Sequence, residues 1–398
     1  MSQPSPVSSA PRFAAGIPRL GTESAFEVLA RAEALKRQGR DVINLGIGQP
    51  DFLTPPHVVE AAVKALRDGH HGYTPANGIL PLREAVAADL ATRLGAKVDP
   101  ECVVIVPGGK VTMFFAVLMF GEPGAEIVYP NPGFPIYESL IRFVGAKPVP
   151  MVLSEDNGFS FKADDVLALM TPATRLLILN SPANPTGGAV SKAEMDRLAA
   201  GLERHPQVAI LSDEIYGRIV YGGRAHASLL AYPQLRERLI VLDGWSKTYA
   251  MTGWRLGFGI WPKDWVEAAT RLAINSHSCV NAPSQWAGIA ALQGPQDAVA
   301  AMVRAFDQRR TAIVPALNHM PGMRCAEPGG AFYAFPNIEG TGMDSCTLQN
   351  RLLDEAGIAT LAGTAFGTAG ENHIRISYAA SLTRIEEAMT RMRMFLER

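Results

Sequence analysis

Residues 239–258 read LIVLDGWSKTYAMTGWRLGF, and this stretch decides how the rest of the chain is interpreted. Its first four residues are apolar, as in a strand that is buried on both faces, and Gly244 ends the pattern. Lys247 then lies at the carboxyl end of the predicted strand, where open α/β sheets bind their ligands. A lysine whose pKa falls from ~10.4 through desolvation or neighbouring cations such as Arg255 can form a Schiff base with an aldehyde. The alternative is that Lys247 and Arg255 are a solvated pair on a loop.

Two further segments place polar residues after apolar runs. Residues 176–180 (LLILN) continue into SPANPTGG (181–188), where two prolines fix the path of the loop that carries Asn184. Residues 208–211 (VAIL) form another apolar run, and Asp213 follows closely. A carboxylate in that position is costly unless it meets a cation, for which a protonated ring nitrogen would serve. A single Asn-Pro turn or Asp-Glu pair is weak evidence, but the order of the three segments indicates a ligand site.

The first three quarters of the chain alternate between strand-like and helical patterns, which predicts an α/β fold with a mainly parallel sheet flanked by helices. The predicted strands are 103–106, 126–129, 176–180, 208–212, 239–243 and 256–260. The predicted helices are 56–68, 81–94, 110–120, 134–144 and 191–204. From about residue 295, long helices (296–319, 345–357, 382–396) alternate with short strands (331–335, 373–377), which is typical of a smaller α+β domain.

The composition is that of an ordinary globular protein. A chain of 398 residues exceeds what one hydrophobic core usually supports, so two domains are expected. The formal net charge is -1 and no basic stripe occurs, which argues against nucleic acid as a partner. The cysteines at 102, 279, 325 and 346 are far apart. They are predicted to be small buried side chains in a reducing compartment, with no disulfide framework and no metal site.

Two features of the sequence bear on location. The N-terminal stretch MSQPSPVSSAP (1–11) has neither the basic start nor the continuous apolar core of a signal peptide, so we expect a mobile arm on a cytoplasmic protein. The longest apolar stretch, residues 111–120, is too short to cross a bilayer, so no membrane partner is expected.

Taken in order, the motifs resemble those of the class I pyridoxal phosphate-dependent aminotransferases of fold type I, with the aspartate aminotransferase fold. The resemblance is strongest to the bacterial branch that includes the thermophile-type aspartate aminotransferases, and it runs from about Val42 to the C-terminus. The motifs are NLGIGQPDF (44–52), GYTPANG (72–78), PGGK (107–110), YPNPGFP (129–135), NPTG (184–187), DEIY (213–216), SKT (246–248) and IRISY (374–378). The resemblance implies an N-terminal arm and part of the small domain at 1–48, a large cofactor-binding domain at 49–294 and a small C-terminal domain at 295–398.

By this resemblance the cofactor is pyridoxal 5′-phosphate, which performs the carbanion chemistry while the protein orients it. Lys247 is implied to bind the cofactor aldehyde and to move the proton between the substrate Cα and the cofactor. Asp213 is implied to pair with the protonated pyridine nitrogen. Asn184 and Tyr216 are implied to hydrogen-bond the ring oxygen. Phe134 matches the ring-stacking aromatic, although core packing at a helix start would also explain it.

The resemblance further implies a cup for the cofactor phosphate. Its members are Gly108, Gly109, Lys110, Ser246, Arg255 and, from the other subunit of a homodimer with shared active sites, Tyr73. The first three lie at a predicted helix N-terminus, where free amide groups and the helix dipole favour an anion, although a plain strand-to-helix turn is the alternative. Many relatives carry a serine where this chain has Gly244, so one phosphate hydroxyl is expected to be missing or to come from Ser246.

The substrate site is implied by four residues and one backbone segment. Arg375 is implied to bind the α-carboxylate through a bidentate pair, helped by Asn184 and the backbone at Gly46. Lys110 is implied to bind the distal carboxylate of a dicarboxylic substrate. Phe26 is expected where those relatives carry a small hydroxyl residue, and such an apolar wall would favour apolar or aromatic side chains over dicarboxylic ones.

The expected function is therefore that of an L-amino acid:2-oxo acid aminotransferase that works by a ping-pong mechanism. Glutamate and 2-oxoglutarate are expected as one pair, with aspartate, alanine or an aromatic amino acid in the other. A lyase that carries out elimination on the same fold is the first alternative, and release of ammonia would distinguish it. A ligand-sensing regulator is a second alternative, but it would need an added basic DNA-binding domain, whereas the aminotransferase-like pattern begins by about residue 42.

Overall fold

The computed structural model describes residues 11–398, so most of the expected N-terminal arm lies outside the described residues. The strands are β1 (Ile43–Asn44), β2 (Val103–Val106), β3 (Glu126–Asn131), β4 (Lys147–Val152), β5 (Thr174–Asn180), β6 (Ala209–Asp213), β7 (Leu239–Gly244), β8 (Gly257–Ile260), β9 (Tyr333–Ala334), β10 (Ile358–Ala359), β11 (Leu361–Ala362) and β12 (Ile374–Ser377). The helices are α1 (Ser24–Arg37), α2 (Pro56–Arg67), α3 (Leu80–Leu94), α4 (Lys110–Phe120), α5 (Ile136–Phe143), α6 (Ala163–Ala168), α7 (Lys192–Leu202), α8 (Trp245–Thr248), α9 (Val266–His277), α10 (Ala282–Gln293), α11 (Asp297–Asn318), α12 (Ser345–Ala356) and α13 (Leu382–Leu396).

The main sheet has seven strands in the order β2-β8-β7-β6-β5-β3-β4. Strand β8 pairs antiparallel with both of its neighbours, and the other pairs are parallel. The predicted fold class, a mainly parallel sheet flanked by helices, is therefore confirmed. In the register, Asn180 of β5 lies beside Asp213 of β6, and Asp213 lies beside Leu242 of β7. These three strands consequently end at the same edge of the sheet.

Both faces of this sheet are buried, which explains why its strands are continuous apolar runs. Along β5, Leu177 and Leu179 belong to the hydrophobic core on one face, and Leu176 and Ile178 belong to the core on the other. The helices that cover the two faces supply the rest of those cores. A sheet held from both sides gives the residues at its strand ends fixed positions.

A third hydrophobic core lies among the C-terminal elements. It is built from α11, α12 and α13 together with β9, β10 and β12, and it includes Ile43 of β1. Strand β1 pairs in parallel with β10, and β12 pairs antiparallel with both β11 and β9. Helix α1 contacts β10 and β11, and Arg31 on α1 forms an ion pair with Asp354 on α12 at 2.5 Å. Helix α1 and strand β1 thus pack with the C-terminal elements, whereas residues 16–21 contact α5 through Ser139 and Phe143.

Several elements differ from the sequence predictions. Helix α1 lies in a region predicted only as an arm and part of the small domain, and α6, α9 and α10 were not predicted. Strand β4 was also missed; its sequence KPVPMV contains two prolines, which a strand tolerates at the edge of a sheet, where β4 lies.

The prediction that all four cysteines are buried was wrong. Only Cys325 is fully buried, Cys102 and Cys279 are partly exposed, and Cys346 is exposed. The reason is that Cys346 lies in the first turn of α12, where the side chain faces outward. Among residues 11–398, no helix combines the length and apolar character that crossing a membrane requires.

Candidate active site

The carboxyl ends of β5, β6 and β7 open into a cavity of about 590 Å³. The predicted site residues that line it are Phe26, Gly109, Lys110, Phe134, Asn184, Asp213, Tyr216, Ser246, Lys247, Arg255 and Arg375. Three other predicted residues do not line it: Gly46, Gly108 and Tyr73. Gly46 and Gly108 each contact an arginine of the cavity, whereas the side chain of Tyr73 is 95% exposed in this single chain.

The amine of the cavity belongs to Lys247, which α8 holds directly after β7. Its Nζ donates a hydrogen bond to the carbonyl oxygen of Gly48 at 2.6 Å. Burial lowers the pKa of this amine to about 8, and the positive charges of Arg375 and Arg255 act in the same direction. An amine with such a pKa is partly neutral near pH 7 to 8, so it can act as a nucleophile or as a base.

The acid of the cavity is Asp213, the last residue of β6. Its carboxylate accepts hydrogen bonds from the hydroxyl of Tyr137 at 2.7 Å and from the amide of Ile215 at 3.2 Å. Burial raises the pKa of Asp213 to about 6, because the negative charge lacks hydration. Among the described residues no cation forms an ion pair with this carboxylate, which is therefore suited to a cationic ligand atom.

Arg375, on β12, presents a buried guanidinium to the cavity. It donates to Asn184 Oδ1 at 2.8 Å and to the carbonyl oxygen of Gly46 at 2.5 Å. The rings of Tyr333 and Phe366 lie at 4.6 and 4.7 Å from it, so its orientation is fixed by stacking as well as by hydrogen bonds. The Nε atom is buried without a partner in the described chain, which leaves a donor for an anionic ligand.

The predicted contribution of the Gly46 backbone takes a different form in the structure. The amide of Gly46 donates to Asn44 Oδ1 at 2.9 Å, while its carbonyl accepts from Arg375. Both backbone groups are thus engaged within the protein. Gly46 holds the arginine, and it does not offer a free donor to a ligand.

Tyr216 was predicted from the DEIY motif, and its hydroxyl lies 2.8 Å from the hydroxyl of Tyr333. Burial raises the pKa of both phenols, so both are neutral at physiological pH and can donate a hydrogen bond. The partner Tyr333 was not predicted, because an aromatic residue in a short apolar strand reads as core.

The start of α4 faces the cavity and offers a place for an anion. Gly108 has a φ of 93°, a conformation that favours glycine, and a Cβ atom there would collide with the guanidinium of Arg255. Arg255 donates to the carbonyl of Thr252 at 2.6 Å, and both residues line the cavity with Ser246. The amides at a helix N-terminus together with an arginine and two hydroxyl groups suit a phosphate.

Gly244 shows why a serine is absent from this position. It pairs with Gly257 between the antiparallel strands β7 and β8, and a Cβ atom on Gly244 would approach the Cα of Gly257 to 2.8 Å. No side chain fits there without a shift of the backbone. The hydroxyl groups of Ser246 and Thr252 are those that this part of the cavity offers.

At the rim of the cavity, the Nζ atom of Lys110 forms an ion pair with the carboxylate of Glu23 and lies 5.1 Å from the centre of the Phe134 ring. Phe26, on the first turn of α1, is 59% exposed and also lines the cavity. Glu23, Tyr137, Thr252, Tyr333 and Phe366 are lining residues that the sequence did not predict. No motif marked them, since each depends on which segments the fold brings together.

The known proteins to which this chain is similar are aminotransferases. The family model described as aminotransferase class I and II matches residues 40–392. The chain is 36% identical over 392 residues to the aspartate aminotransferase of Geobacillus stearothermophilus, covering 97% of this chain and 99% of that protein. It is 38% identical over 359 residues to the aromatic-amino-acid aminotransferase 2 of Thermococcus litoralis, covering 89% and 92%. The solved aspartate aminotransferase of Rhizobium meliloti superimposes with a TM-score of 0.93 at 34% identity, covering 98% of this chain and all of that one.

Proposed function

Because this chain belongs to the class I and II aminotransferases, we propose that it exchanges amino groups between the glutamate/2-oxoglutarate pair and a second, less polar amino acid, such as alanine or an aromatic one. The chain is a pyridoxal phosphate-dependent aminotransferase. Its relatives are named for transamination, and nothing in the comparisons supports the alternative of a lyase.

The residues of the cavity fit pyridoxal phosphate. The amine of Lys247, the buried carboxylate of Asp213 and the glycine-lined start of α4 are the partners that an aldehyde, a pyridinium and a phosphate require, and they line one cavity. Asp213 in particular is a buried acid that lacks a cation in the described chain, and a pyridinium would supply one. When bound, pyridoxal phosphate withdraws electrons from the substrate Cα and so makes its proton acidic.

Lys247 is the residue that we assign to the proton at the substrate Cα. A base works best when its pKa is close to the working pH, and burial with two nearby arginines brings this amine to about 8. The carbonyl of Gly48 holds the amine in place in the absence of substrate. The short helix α8 keeps the lysine at the carboxyl end of β7, within the cavity.

Arg375 is the residue that we assign to the substrate α-carboxylate. Its side chain is 4% exposed, its plane is fixed by Tyr333 and Phe366, and its Nε donor has no partner in the described chain. A planar guanidinium fixed in this way matches the geometry of a carboxylate. Asn184, which accepts from Arg375, is held by its own amide bond to Asn180 Oδ1 at 2.9 Å.

The observation that carries the substrate proposal is that the cavity contains, besides Lys247 and Arg255, two further cations and an apolar wall. Arg375 is deeply buried, Lys110 lies at the rim, and Phe26, Ile47 and Phe366 contribute apolar surface between polar groups. A dicarboxylic substrate can use both cations, whereas an uncharged side chain can use the apolar wall. This combination supports a dual specificity rather than a preference for aspartate alone, although aspartate remains a candidate donor.

We also propose that the active unit is a homodimer in which Tyr73 of each subunit reaches the phosphate region of the other. In the single chain this tyrosine is 95% exposed, so its side chain is available to a second subunit. Leu53 at 93% and Ile274 at 56% are exposed as well. Arg255 is exposed as well. It lies on a side of the cavity that a second subunit would cover.

The proposed function is tested by a panel of half-reactions. The purified protein loaded with pyridoxal phosphate is mixed with one amino acid at a time, and conversion of the cofactor to its amine form is followed by absorbance. We expect conversion with glutamate and with alanine or at least one aromatic amino acid, and none with the Lys247→Ala variant as control. Release of ammonia in place of a 2-oxo acid, or no reaction with glutamate, would contradict the proposal.

A further inference from the structure

The carboxylate of Glu23 lies inside the substrate cavity, where the proposed reaction does not need it. Its side chain is 17% exposed, it lines the cavity, and it forms an ion pair with Lys110. Its negative charge also acts on Lys247 and on Arg375, raising the pKa of both groups against the larger effect of burial. Glu23 is therefore close enough to influence the groups that we assign to the reaction.

The position of Glu23 is not explained by the stability of helix α1. Glu23 is the N-cap residue of that helix, but its side chain makes no capping hydrogen bond. A glutamate is also a poor N-cap compared with serine, threonine or aspartate. Lys110 begins helix α4 on the main sheet, so the ion pair joins α1 to the part of the chain that carries the cofactor-binding residues.

Within the described chain, Glu23 is the acid that pairs with Lys110. Lys110 otherwise lies beside the ring of Phe134. The positive charge at the rim is therefore already neutralised before any substrate arrives. A substrate with a distal carboxylate must compete with Glu23 for the ammonium group, and a substrate with an uncharged side chain need not.

We propose that Glu23 is a specificity-determining residue, which occupies the cation that a distal substrate carboxylate needs and so favours amino acids with uncharged side chains. This inference rests on the proposed function, since it assumes that substrates place their side chains near Lys110. When a dicarboxylic substrate binds, it either displaces Glu23 from Lys110 or shares the ammonium group with it, so that two carboxylates lie in one corner of the cavity. The two negative charges repel each other, which weakens the binding of the dicarboxylic substrate further.

The test is the Glu23→Gln variant, which removes the charge and keeps the size of the side chain. We expect kcat/KM for glutamate and aspartate to rise roughly three- to fivefold, the effect of one half-exposed charge pair, while kcat/KM for alanine and phenylalanine changes less than about twofold. Glu27→Gln is the matched control, because Glu27 lies on the same helix turn, is exposed and does not line the cavity. Glu23→Ser, with a better N-cap side chain, is a second variant should the first fold poorly.

A double variant shows whether the effect passes through Lys110. In a Lys110→Met background, Glu23→Gln should no longer raise kcat/KM for glutamate, because the cation that pairs with Glu23 is absent. An equal change for all substrates, or a gain that persists without Lys110, would overturn the inference.

Failure of the inference can be told apart from failure of the proposed function by a binding measurement without turnover. Calorimetry with succinate, which has two carboxylates and no amino group, should give a lower Kd for Glu23→Gln than for the unchanged chain, and butyrate should bind both equally. If no amino acid reacts but succinate still shows this difference, the proposed function fails and the role of Glu23 stands. If glutamate reacts and succinate shows no difference, the reverse holds.

Discussion

Burial, Arg375 and Arg255 together bring the pKa of Lys247 to about 8. Only the neutral amine can attack an aldehyde, so the rate at which cofactor-free protein captures pyridoxal phosphate should rise with pH, with a midpoint near pH 8. The Arg255→Gln variant should shift this profile to higher pH, because one of the charges that lower the pKa is removed. Stopped-flow absorbance across pH 6 to 10 measures both profiles, and identical midpoints in the two proteins would contradict the assigned cause.

The buried carboxyl group of Asp213 makes the stability of the cofactor-free protein depend on pH. Burial raises its pKa to about 6 from 3.8, so the folded, cofactor-free chain binds a proton that the unfolded chain does not hold between those values. Stability from this group is therefore present at low pH and lost as the pH rises through 6. Relative to Asp213→Asn, the unfolding free energy of the cofactor-free protein should fall by about 1 kcal/mol between pH 5 and pH 7. Denaturant titrations at both pH values test this. An unfolding free energy that rises between pH 5 and pH 7, relative to that of Asp213→Asn, would refute the prediction.

At the scale of single residues, the sequence predicted the groups that follow apolar strands and missed those that depend on tertiary contacts. Lys247 and Asp213 could be found because a charge at a strand end is unusual in a buried sheet. Glu23 and Tyr333 could not, since a glutamate before a helix and a tyrosine in a short strand have ordinary structural explanations. The prediction for Phe26 named an apolar wall but not the carboxylate that lies beside it.

Among the elements, the strands of the main sheet were predictable because both of their faces are buried, so period and composition agree. Strand β4 was missed because Pro148 and Pro150 argue against a strand. The fold accommodates both prolines because β4 lies at the edge of the sheet. Helices α9 and α10 were missed in a region without a matching motif. Local sequence patterns cannot predict an element whose type depends on its position in the fold.

The start of helix α4 gives a prediction at this scale. Gly108→Ala forces a side chain into a backbone conformation with φ of 93° and against Arg255, so we expect the Kd for pyridoxal phosphate to rise at least tenfold. Gly95→Ala is the matched control, because Gly95 has a φ of 64° at the end of α3 and has open space around it. Both variants should lose ~1 kcal/mol or more of stability from backbone strain. Equal cofactor affinity in both would show that Arg255 and the helix start do not hold the phosphate.

On the scale of the whole molecule, the proposed dimer predicts complementation. The Lys247→Ala protein should be inactive and the Tyr73→Ala protein weakly active, and a hybrid of the two should contain one site with both residues intact. If the chains are unfolded and refolded together, up to about half of the dimers are hybrids, and activity should recover in proportion. Purified hybrids, isolated through two different affinity tags, that remained inactive would show that Tyr73 does not cross between subunits.

The domain boundaries also belong to this scale and stay a proposal. The parallel pairing of β1 with β10 and the contacts of α1 support grouping residues 24–44 with those after about 295, although residues 16–21 contact α5. On that division, Arg375 and Glu23 lie on one domain, whereas Lys247, Asp213 and Lys110 lie on the other.

The pairing of β1 with β10 also sets an order for folding during synthesis. Ile43 and Asn44 are synthesised before the main sheet, but their partners Ile358 and Ala359 follow only after all of its strands. The carbonyls of Gly46 and Gly48, which hold Arg375 and Lys247, come directly after that early strand. The main sheet has all its strands long before then. A nascent chain thus has every strand of its cofactor platform before its substrate pocket is complete, because that pocket also needs β10 and β12.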